Sequence, residues 1–185
     1  MEELSVRFQQ DADAQAAFRS APALSEVIKD GKLASYACLY LVGGHGCLED
    51  FPDSEDLKEA VEYFYANVGG CLAAICHGPI GLHRCMYNGE KLLKGKFVAG
   101  FSNEEETMLG LNTSVKLSVE DALDATGAVC APRAPFRPNA VVDGRVVTGQ
   151  NPQTSTELAQ RVLDVLRTLG DKFNAPDNVN KPWGK

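Results

Sequence analysis

One cysteine in the chain stands where an enzyme nucleophile is expected. Cys76 ends an apolar run that starts at Cys71, and His77 follows it directly. An apolar run that stops at Gly78 and Pro79 predicts a buried strand, a sharp turn and then a helix. A thiol at the positive end of a helix loses its proton easily. We therefore expect Cys76 to have a depressed pKa and to be the most reactive thiol, the alternative being a buried structural cysteine.

A glycine-rich segment at residues 43–46 follows the preceding apolar run. Because sites in open parallel sheets form at the carboxyl ends of strands, we expect this segment to face Cys76. Glycines let backbone N–H groups approach a substrate oxygen closely. The sequence thus predicts an oxyanion hole made by the backbone amides of Gly44 and His77. The His77 side chain could act as acid or base, oriented by a carboxylate, while Gly43 and His45 line the pocket or serve the loop.

Composition limits what else the chain can be. Its 185 residues, 44% of them hydrophobic, suffice for one domain with a proper core. The net charge of -7 and the absence of a basic stripe argue against a nucleic acid partner. No apolar run has the length of a membrane span and the first residues are acidic, so we expect no membrane partner and a cytoplasmic protein.

The cysteines and histidines predict neither disulfides nor a metal site. The six cysteines are irregularly spaced without a C-x-x-C pair, so we interpret them as reduced thiols and not as a zinc ribbon. Cys38 and Cys71 lie in apolar runs and are interpreted as core residues. Three histidines without an Asp/His cluster make a metal site improbable. We therefore expect no metal and no cofactor.

The elements that must position these residues alternate between strand and helix. Such alternation predicts an α/β sandwich with a mostly parallel sheet, forming one domain at 1–169 followed by a tail at 170–185. The turn of a hairpin is expected at Asp143-Gly144. Strands are predicted at 36–42, 71–76, 96–101, 128–131, 139–142 and 145–148. Helices are predicted at 11–18, 23–28, 54–67, 118–126 and 155–169, with a further helical stretch in the glutamate-rich segment.

Six short segments, taken in order and spacing, resemble the DJ-1/PfpI superfamily, and in particular its Hsp31-like branch. They are 43–46 (GGHG), 74–79 (AICHGP), 94–96 (KGK), 100–106 (GFSNEEE), 142–145 (VDGR) and 148–152 (TGQNP). The resemblance covers roughly residues 8–168. It implies a flavodoxin-like three-layer sandwich, a homodimer, and conversion of methylglyoxal to lactate without glutathione, metal or other cofactor. Some members are described as deglycases or stress-induced chaperones.

The resemblance also assigns roles to individual residues. Cys76 matches the family nucleophile, His77 the triad histidine and Glu106 the triad carboxylate, with Glu105 left open as the alternative acid. Gly44 and His77 match the oxyanion-hole amides. The implied reaction starts with attack of the thiol on the aldehyde of a small 2-oxoaldehyde. A hemithioacetal, an enediol and a thioester follow, and water hydrolyses the thioester.

The family also has a strand, a helix and a second strand before the region that matches residue 8. The first of these strands ends at a glutamate that bonds the nucleophilic cysteine, and this sequence has no counterpart to it. We therefore expect weakened activity, and keep as alternatives a non-catalytic stress-response, chaperone or redox-sensing protein and, less favoured, a cysteine hydrolase. The strand at 36–42 would then form a bare sheet edge that self-associates or is covered by residues 1–30.

Overall fold

A computed structural model describes residues 3–111 and 115–170. The predicted tail lies outside the described residues apart from residue 170. The α-helices are α1 (Glu3–Gln10), α2 (Ala12–Arg19), α3 (Leu24–Lys29), α4 (Cys47–Asp50), α5 (Glu55–Tyr63), α6 (Asn103–Met108), α7 (Val119–Asp124) and α8 (Ser155–Thr168). The strands are β1 (Cys38–Leu41), β2 (Cys71–Ile75), β3 (Met86–Tyr87), β4 (Glu90–Lys91), β5 (Phe97–Val98), β6 (Val129–Cys130), β7 (Ala140–Asp143) and β8 (Val146–Gly149). Short 3-10 helices cover Lys32–Ser35, Phe51–Asp53, Gly78–Leu82 and Pro152–Thr154, and a π-helix covers Phe64–Val68.

The central sheet has the strand order β1-β2-β8-β7. Its first three strands are parallel, and β7 pairs with β8 in the antiparallel sense. All five residues of β2 are buried, because this strand is covered on both faces. The strands β3 and β4 form a separate antiparallel hairpin, and β5 and β6 a separate parallel pair. The predicted α/β fold with a mostly parallel sheet is confirmed.

Helices lie on both faces of this sheet. On one face α8 packs against β2 and β8, where Leu158 and Ile75 meet beside Gly149. On the other face Leu41 of β1 and Leu57 of α5 meet beside the short helix Gly78–Leu82. Leu41 pairs in register with the residue before Ile75, so the side chains of Leu41 and Ile75 point to opposite faces. The result is a flavodoxin-like three-layer sandwich.

The segment after Cys76 differs from the prediction. It forms a 3-10 helix of five residues, Gly78–Leu82, instead of an α-helix. Gly78 and Gly81 disfavour the propagation of an α-helix, whereas Pro79, in the first turn, is compatible with either type of helix. A single tight turn has only a small aligned dipole. The expected pKa-lowering effect of a helix N-terminus on Cys76 therefore has no structural basis.

The hairpin between β7 and β8 is present but its turn is shifted by one residue. Asp143 belongs to β7 and pairs with Val146, so Gly144 and Arg145 form the two-residue loop. Gly144 has φ +58°, a left-handed conformation that glycine adopts without strain. The Asp143 carboxylate accepts hydrogen bonds from Lys96 and from the backbone N–H of Phe97. This tie joins β7 to β5.

Strand β1 is an edge of the central sheet among the described residues. Tyr40 is 37% exposed and Val42, just past the strand, is 64% exposed. Helix α3 packs against α5 through Val27 and Ala60, next to this edge, whereas α2 has no buried residue. Within the described ranges, no helix is both long enough and apolar enough to cross a membrane.

Candidate active site

Cys76 lies immediately beyond β2 in a strained backbone conformation. Its φ is +59°, which a non-glycine residue rarely adopts and which is often found at functional turns. Two backbone hydrogen bonds hold it there, from its own N–H to the carbonyl of Gly149 (2.9 Å) and from the N–H of Phe101 to its carbonyl (2.9 Å). A side chain on Gly43 would approach the Cys76 Cβ to 2.7 Å. The glycine is required for the close approach of the two loops.

Cys76, His77 and Glu106 form a connected hydrogen-bonded chain. The Cys76 Sγ lies 3.2 Å from His77 Nδ1, and His77 Nε2 lies 3.0 Å from Glu106 Oε2. A carboxylate can only accept hydrogen bonds, so Nε2 of His77 carries the proton. Nδ1 then offers its lone pair to the thiol. This is the arrangement that a general base needs to remove the thiol proton.

The structure separates the two adjacent glutamates that the sequence left as alternatives. Glu106 contacts His77, whereas Glu105 is completely buried and forms its hydrogen bonds with other groups. The Glu105 carboxylate accepts hydrogen bonds from the backbone N–H groups of Ser102 and Phe136 and from the side chains of Ser102, Gln150 and Asn151. Glu105 therefore ties α6 to the loops around it. Of the two glutamates, only Glu106 forms a hydrogen bond with His77.

The expected low pKa of Cys76 is wrong. Burial raises the pKa of this thiol to about 11. The backbone N–H groups of His77 and Gly44 oppose that effect by hydrogen-bonding the sulfur, and the nearby Glu105 and Glu106 charges add to it. The same two amides are the ones expected to receive an oxyanion. At neutral pH the thiol is thus protonated and needs a base at the moment of attack.

His77 is suited to be that base. It is buried, and burial lowers its pKa, with the neighbouring His45 lowering it further. The hydrogen bond to Glu106 acts in the opposite direction. Phe101 stacks on the imidazole with ring centroids 4.4 Å apart and an interplanar angle of 29°. The neutral imidazole is therefore held in one orientation between Cys76 and the carboxylate.

His45 makes a contact that the sequence did not predict. Its Nε2 donates to Glu106 Oε1 at 2.7 Å, and its ring lies 4.0 Å from that of His77. The His45 side chain is 42% exposed, so it connects the buried carboxylate with the pocket mouth. The GGHG segment marked this histidine as a candidate. Its partner Glu106 lies 61 residues further along the chain, so no local sequence pattern indicated their contact.

Three potential metal-ligand atoms also meet here. The ligand atoms of His45, His77 and Glu106 all lie within 4.8 Å of one another. Two imidazoles and a carboxylate are a donor set that Zn²⁺ accepts. The sequence shows no Asp/His cluster, but the fold brings two histidines and a glutamate together. In the triad arrangement the two imidazole nitrogens are already bonded to the carboxylate.

A cavity of about 500 Å³ opens over Cys76. The described residues that line it are predominantly apolar in character and include no lysine or arginine. They are Val42, Gly43, Gly44, His45, Ile75, Cys76, His77, Phe101, Leu109, Phe136, Pro152, Gln153 and Ser155. Of the site residues predicted from the sequence, Gly43, Gly44, His45, Cys76 and His77 line this cavity, whereas Glu106 and its alternative Glu105 do not.

Comparison with known proteins places this site in a family. Residues 21–165 match the DJ-1/PfpI family model. The glutathione-independent glyoxalase HSP31 of Saccharomyces cerevisiae is 37% identical over 147 residues, covering 75% of this chain and 61% of the yeast protein. Glyoxalase 3 of Candida albicans is 34% identical over 135 residues, covering 69% and 57%. The chain thus spans about three fifths of the length of these relatives.

Solved structures agree with this placement. The rapid encystment protein of 24 kDa from Francisella tularensis superposes with a TM-score of 0.81 at 30% identity, covering 89% of this chain and 72% of that one. The glyoxalase III of Candida albicans superposes with a TM-score of 0.69 at 29% identity, covering 84% and 70%. These relatives confirm the resemblance to the Hsp31-like branch. The chain belongs to the DJ-1/PfpI family.

Proposed function

We propose that the chain converts small 2-oxoaldehydes of the methylglyoxal type to 2-hydroxy acids without glutathione, metal or other cofactor. The observation that carries the proposal is the Cys76–His77–Glu106 chain, with the backbone amides of His77 and Gly44 directed at the sulfur. Relatives at 34–37% identity are named as glyoxalases. The activity is of the glyoxalase III lyase type, with deglycase activity as a related outcome of the same thiol chemistry.

The first step follows from the geometry at Cys76. The thiol attacks the aldehyde carbon as Nδ1 of His77, 3.2 Å away, takes its proton. The aldehyde oxygen becomes an oxyanion that the N–H groups of Gly44 and His77 receive. Reprotonation gives a hemithioacetal. Since the thiol is protonated at neutral pH, proton removal and C–S bond formation belong to the same step.

In the remaining steps, one substrate carbon is oxidised while the neighbouring carbon is reduced. Removal of the proton on the former aldehyde carbon gives an enediol, and protonation of the neighbouring carbon gives a thioester. One carbon is oxidised and the other reduced, so no external oxidant or reductant is needed. Water then cleaves the thioester, releasing the 2-hydroxy acid and the Cys76 thiol. His77 moves the protons, and Glu106 stabilises its protonated form.

The cavity supports a neutral substrate. Its lining is mainly apolar, and none of the described lining residues is a lysine or arginine that would attract an anion. A 2-oxoaldehyde is uncharged, whereas the hydroxy acid product is an anion. The described lining thus offers no lysine or arginine that would retain the anionic product.

One observation is equally compatible with a non-catalytic role, which is the second candidate. Burial raises the pKa of Cys76 to about 11, which suits a quiescent thiol as well as one that waits for substrate. A stress-response or chaperone member of the family would keep this arrangement without turning over an aldehyde. The two candidates differ in whether the chain forms product at all and, if it does, whether that product depends on Cys76.

Lactate production separates these candidates. The purified chain is incubated with methylglyoxal in glutathione-free buffer, and lactate is measured over time. We expect lactate from the unaltered chain and none above background from Cys76→Ala. Cys130→Ala is the matched control, because Cys130 is half-buried and lies outside the cavity. Equal lactate from Cys76→Ala and the unaltered chain would exclude the proposed function.

A further inference from the structure

A second pair of cysteines lies outside the active site, where the strands β1 and β2 begin. Cys38 of β1 and Cys71 of β2 are directly opposite each other in the parallel register. Opposed residues in such a pair point to the same face of the sheet and have backbones about 4.8 Å apart. Disulfides join residues with Cα atoms about 4.4–6.8 Å apart. The backbone already has the spacing that a covalent link between them needs.

The two thiols differ in access. Cys71 is completely buried, whereas Cys38 is half-buried in an edge strand. Cys38 also lines a cavity of about 310 Å³ that is shared with Leu24 and Val27 of α3 and with Phe64. A small neutral molecule that enters this cavity meets Cys38 first. Cys71 is reached only through Cys38 or by local opening of the strand edge.

The surroundings of Cys38 also favour its thiolate. Hydrogen bonding from the Cys71 thiol lowers the pKa of Cys38. All six cysteines are among the described residues, and the pKa of each of the other five is raised. Cys47 and Cys85 instead donate their thiol protons to the carbonyls of Gly44 and Gly81. Reaction with peroxide requires the thiolate.

We infer that Cys38 and Cys71 form an oxidation site for small hydroperoxides, at which the two thiols become a disulfide that links β1 to β2. The inference rests on their opposed register, the shared face and the cavity beside Cys38. It does not depend on the proposed glyoxalase activity. It differs from the sequence-based expectation that Cys76 is the most reactive thiol, and the experiment below decides between the two for a peroxide reagent.

The reaction balances with hydrogen peroxide as the only oxidant. The Cys38 thiolate attacks one peroxide oxygen, an S–O bond forms, and the O–O bond breaks with release of hydroxide. The resulting sulfenic acid carries no charge, so the thiolate that raised the pKa of Cys71 is gone. The Cys71 sulfur then loses its proton and attacks the Cys38 sulfur. The S–O bond breaks, water leaves, and the S–S bond forms.

The link would act on the two strands that lead to the active site. Strand β1 runs into Gly43 and Gly44, and β2 ends next to Cys76. A disulfide where both strands begin fixes their register without occupying the catalytic thiol. We therefore expect the oxidised chain to unfold at a higher temperature than the reduced chain, since the loop from Cys38 to Cys71 is closed in the unfolded state.

Peptide mapping after mild oxidation tests the inference. The full chain is treated with hydrogen peroxide, the peroxide is removed, and the chain is unfolded in denaturant and alkylated with iodoacetamide, so that every remaining thiol is modified. It is then digested with chymotrypsin and analysed by mass spectrometry. Cleavage after Tyr40 and Leu72 separates Cys38 from Cys47 and Cys71 from Cys76. We expect a peptide pair linked through Cys38 and Cys71, lighter by two hydrogen atoms than its separate parts and resolved by reduction. The link should form at peroxide doses that leave Cys76 as a free thiol, which the later alkylation step then modifies.

Three variants sharpen the experiment. In Cys71→Ser the sulfenic acid has no partner, so dimedone should label Cys38. In Cys38→Ser no link to Cys71 should form at the same peroxide dose. Cys130→Ser, which alters the other half-buried cysteine, should behave as the unaltered chain. The inference is overturned if Cys38 in the unaltered chain is recovered as the alkylated thiol at doses that oxidise other cysteines. It is also overturned if the disulfide joins a different pair of cysteines or joins two separate chains.

Discussion

His45 Nε2 and Glu106 Oε1 lie 2.7 Å apart, so a half-exposed histidine supports the carboxylate that orients the buried His77. The carboxylate thereby accepts one hydrogen bond from each of two imidazoles on its two oxygens. This second contact fixes the carboxylate plane, and with it the direction of the bond to His77. His45 is thus a positioning residue that acts through Glu106.

Removing this support should slow the reaction and change its pH dependence. We expect His45→Ala to lower kcat by about tenfold, because a hydrogen bond to a charged group contributes roughly 1.5–3 kcal/mol. His45 lowers the pKa of His77, which must be neutral to act as base. Without His45 that pKa rises, so the acidic limb of the pH–rate profile should move to higher pH.

The control for this variant is His83→Ala, because His83 bonds the carbonyl of Ile80 and does not line the cavity. It should leave kcat and the acidic limb where they are. His45→Gln keeps an N–H donor and should recover part of the lost rate. An unchanged acidic limb in His45→Ala would show that His45 does not act on the triad.

The adjacent glutamates should respond in opposite ways to the same substitution. Glu106→Gln is expected to lower kcat by about 10²-fold, since the protonated form of His77 loses its counter-charge, with little change in stability.

Glu105→Gln removes the charge from a carboxylate that accepts five hydrogen bonds. We expect a loss of about 3 kcal/mol in the free energy of unfolding. Thermal melts and initial rates on both variants measure the two effects. A larger loss of turnover in folded Glu105→Gln than in Glu106→Gln would reverse the assignment.

Much of the site could be predicted from the sequence because its parts lie at the ends of recognisable elements. The apolar runs before Gly43 and before Cys76 marked two parallel strands, and their carboxyl ends had to meet. Whether Glu105 or Glu106 faces His77 could not be decided, because adjacent residues on a helix differ by about 100° in direction. The first turn of α6 fixes that direction only once Ser102 caps it and Glu105 is buried.

The raised pKa of Cys76 could not be predicted for a different reason. The sequence suggested the start of an α-helix beside the thiol, but Gly78–Leu82 forms a 3-10 helix, which contains the two glycines Gly78 and Gly81. Burial, the dominant cause of the shift, depends on the packing of loops that are distant along the chain. The contact between His45 and Glu106 is also set by tertiary structure.

The raised pKa itself can be tested by alkylation. At neutral pH only a small fraction of a thiol with a pKa of about 11 is thiolate, so iodoacetamide should modify Cys76 slowly. The rate should rise about tenfold per pH unit from pH 7 and approach a plateau near pH 11. Mass spectrometry of the Cys76 peptide follows the rate. A plateau reached below pH 8 would contradict the effect of burial.

Chelation tests the expectation that no metal takes part. The ligand atoms of His45, His77 and Glu106 lie within 4.8 Å of one another. A metal ion bound there would occupy His77 and Glu106, which the proposed mechanism uses as the base and its carboxylate. We expect EDTA dialysis to leave methylglyoxal conversion unchanged, because the proposed steps use only the thiol, the imidazole and backbone amides. Loss of activity on chelation with recovery on Zn²⁺ addition would instead assign these residues to a metal.

Strand β1, an edge of the central sheet within the described part of the chain, predicts self-association. Tyr40 and Val42 are exposed at this edge, and the strand itself, Cys38–Leu41, contains no charged side chain or proline. We propose that two chains pair along this edge, and we expect light scattering to give a mass that increases with concentration. Tyr40→Lys should shift the chain toward the monomer. Phe18→Lys, which alters an exposed aromatic residue of α2, is the control. An unaltered chain that stays monomeric at high concentration would exclude this pairing.

The central claim is that the Cys76 thiol bonds covalently to the aldehyde, and intact-protein mass spectrometry tests it most directly. The chain is mixed with methylglyoxal, quenched in acid within the first turnovers and weighed, and the adduct is then mapped to a peptide. We predict one added substrate mass on Cys76 that disappears as substrate is consumed, is present in Cys130→Ala and is absent in Cys76→Ala. Lactate formed at the normal rate by Cys76→Ala, with the same adduct on another residue, would contradict the claim.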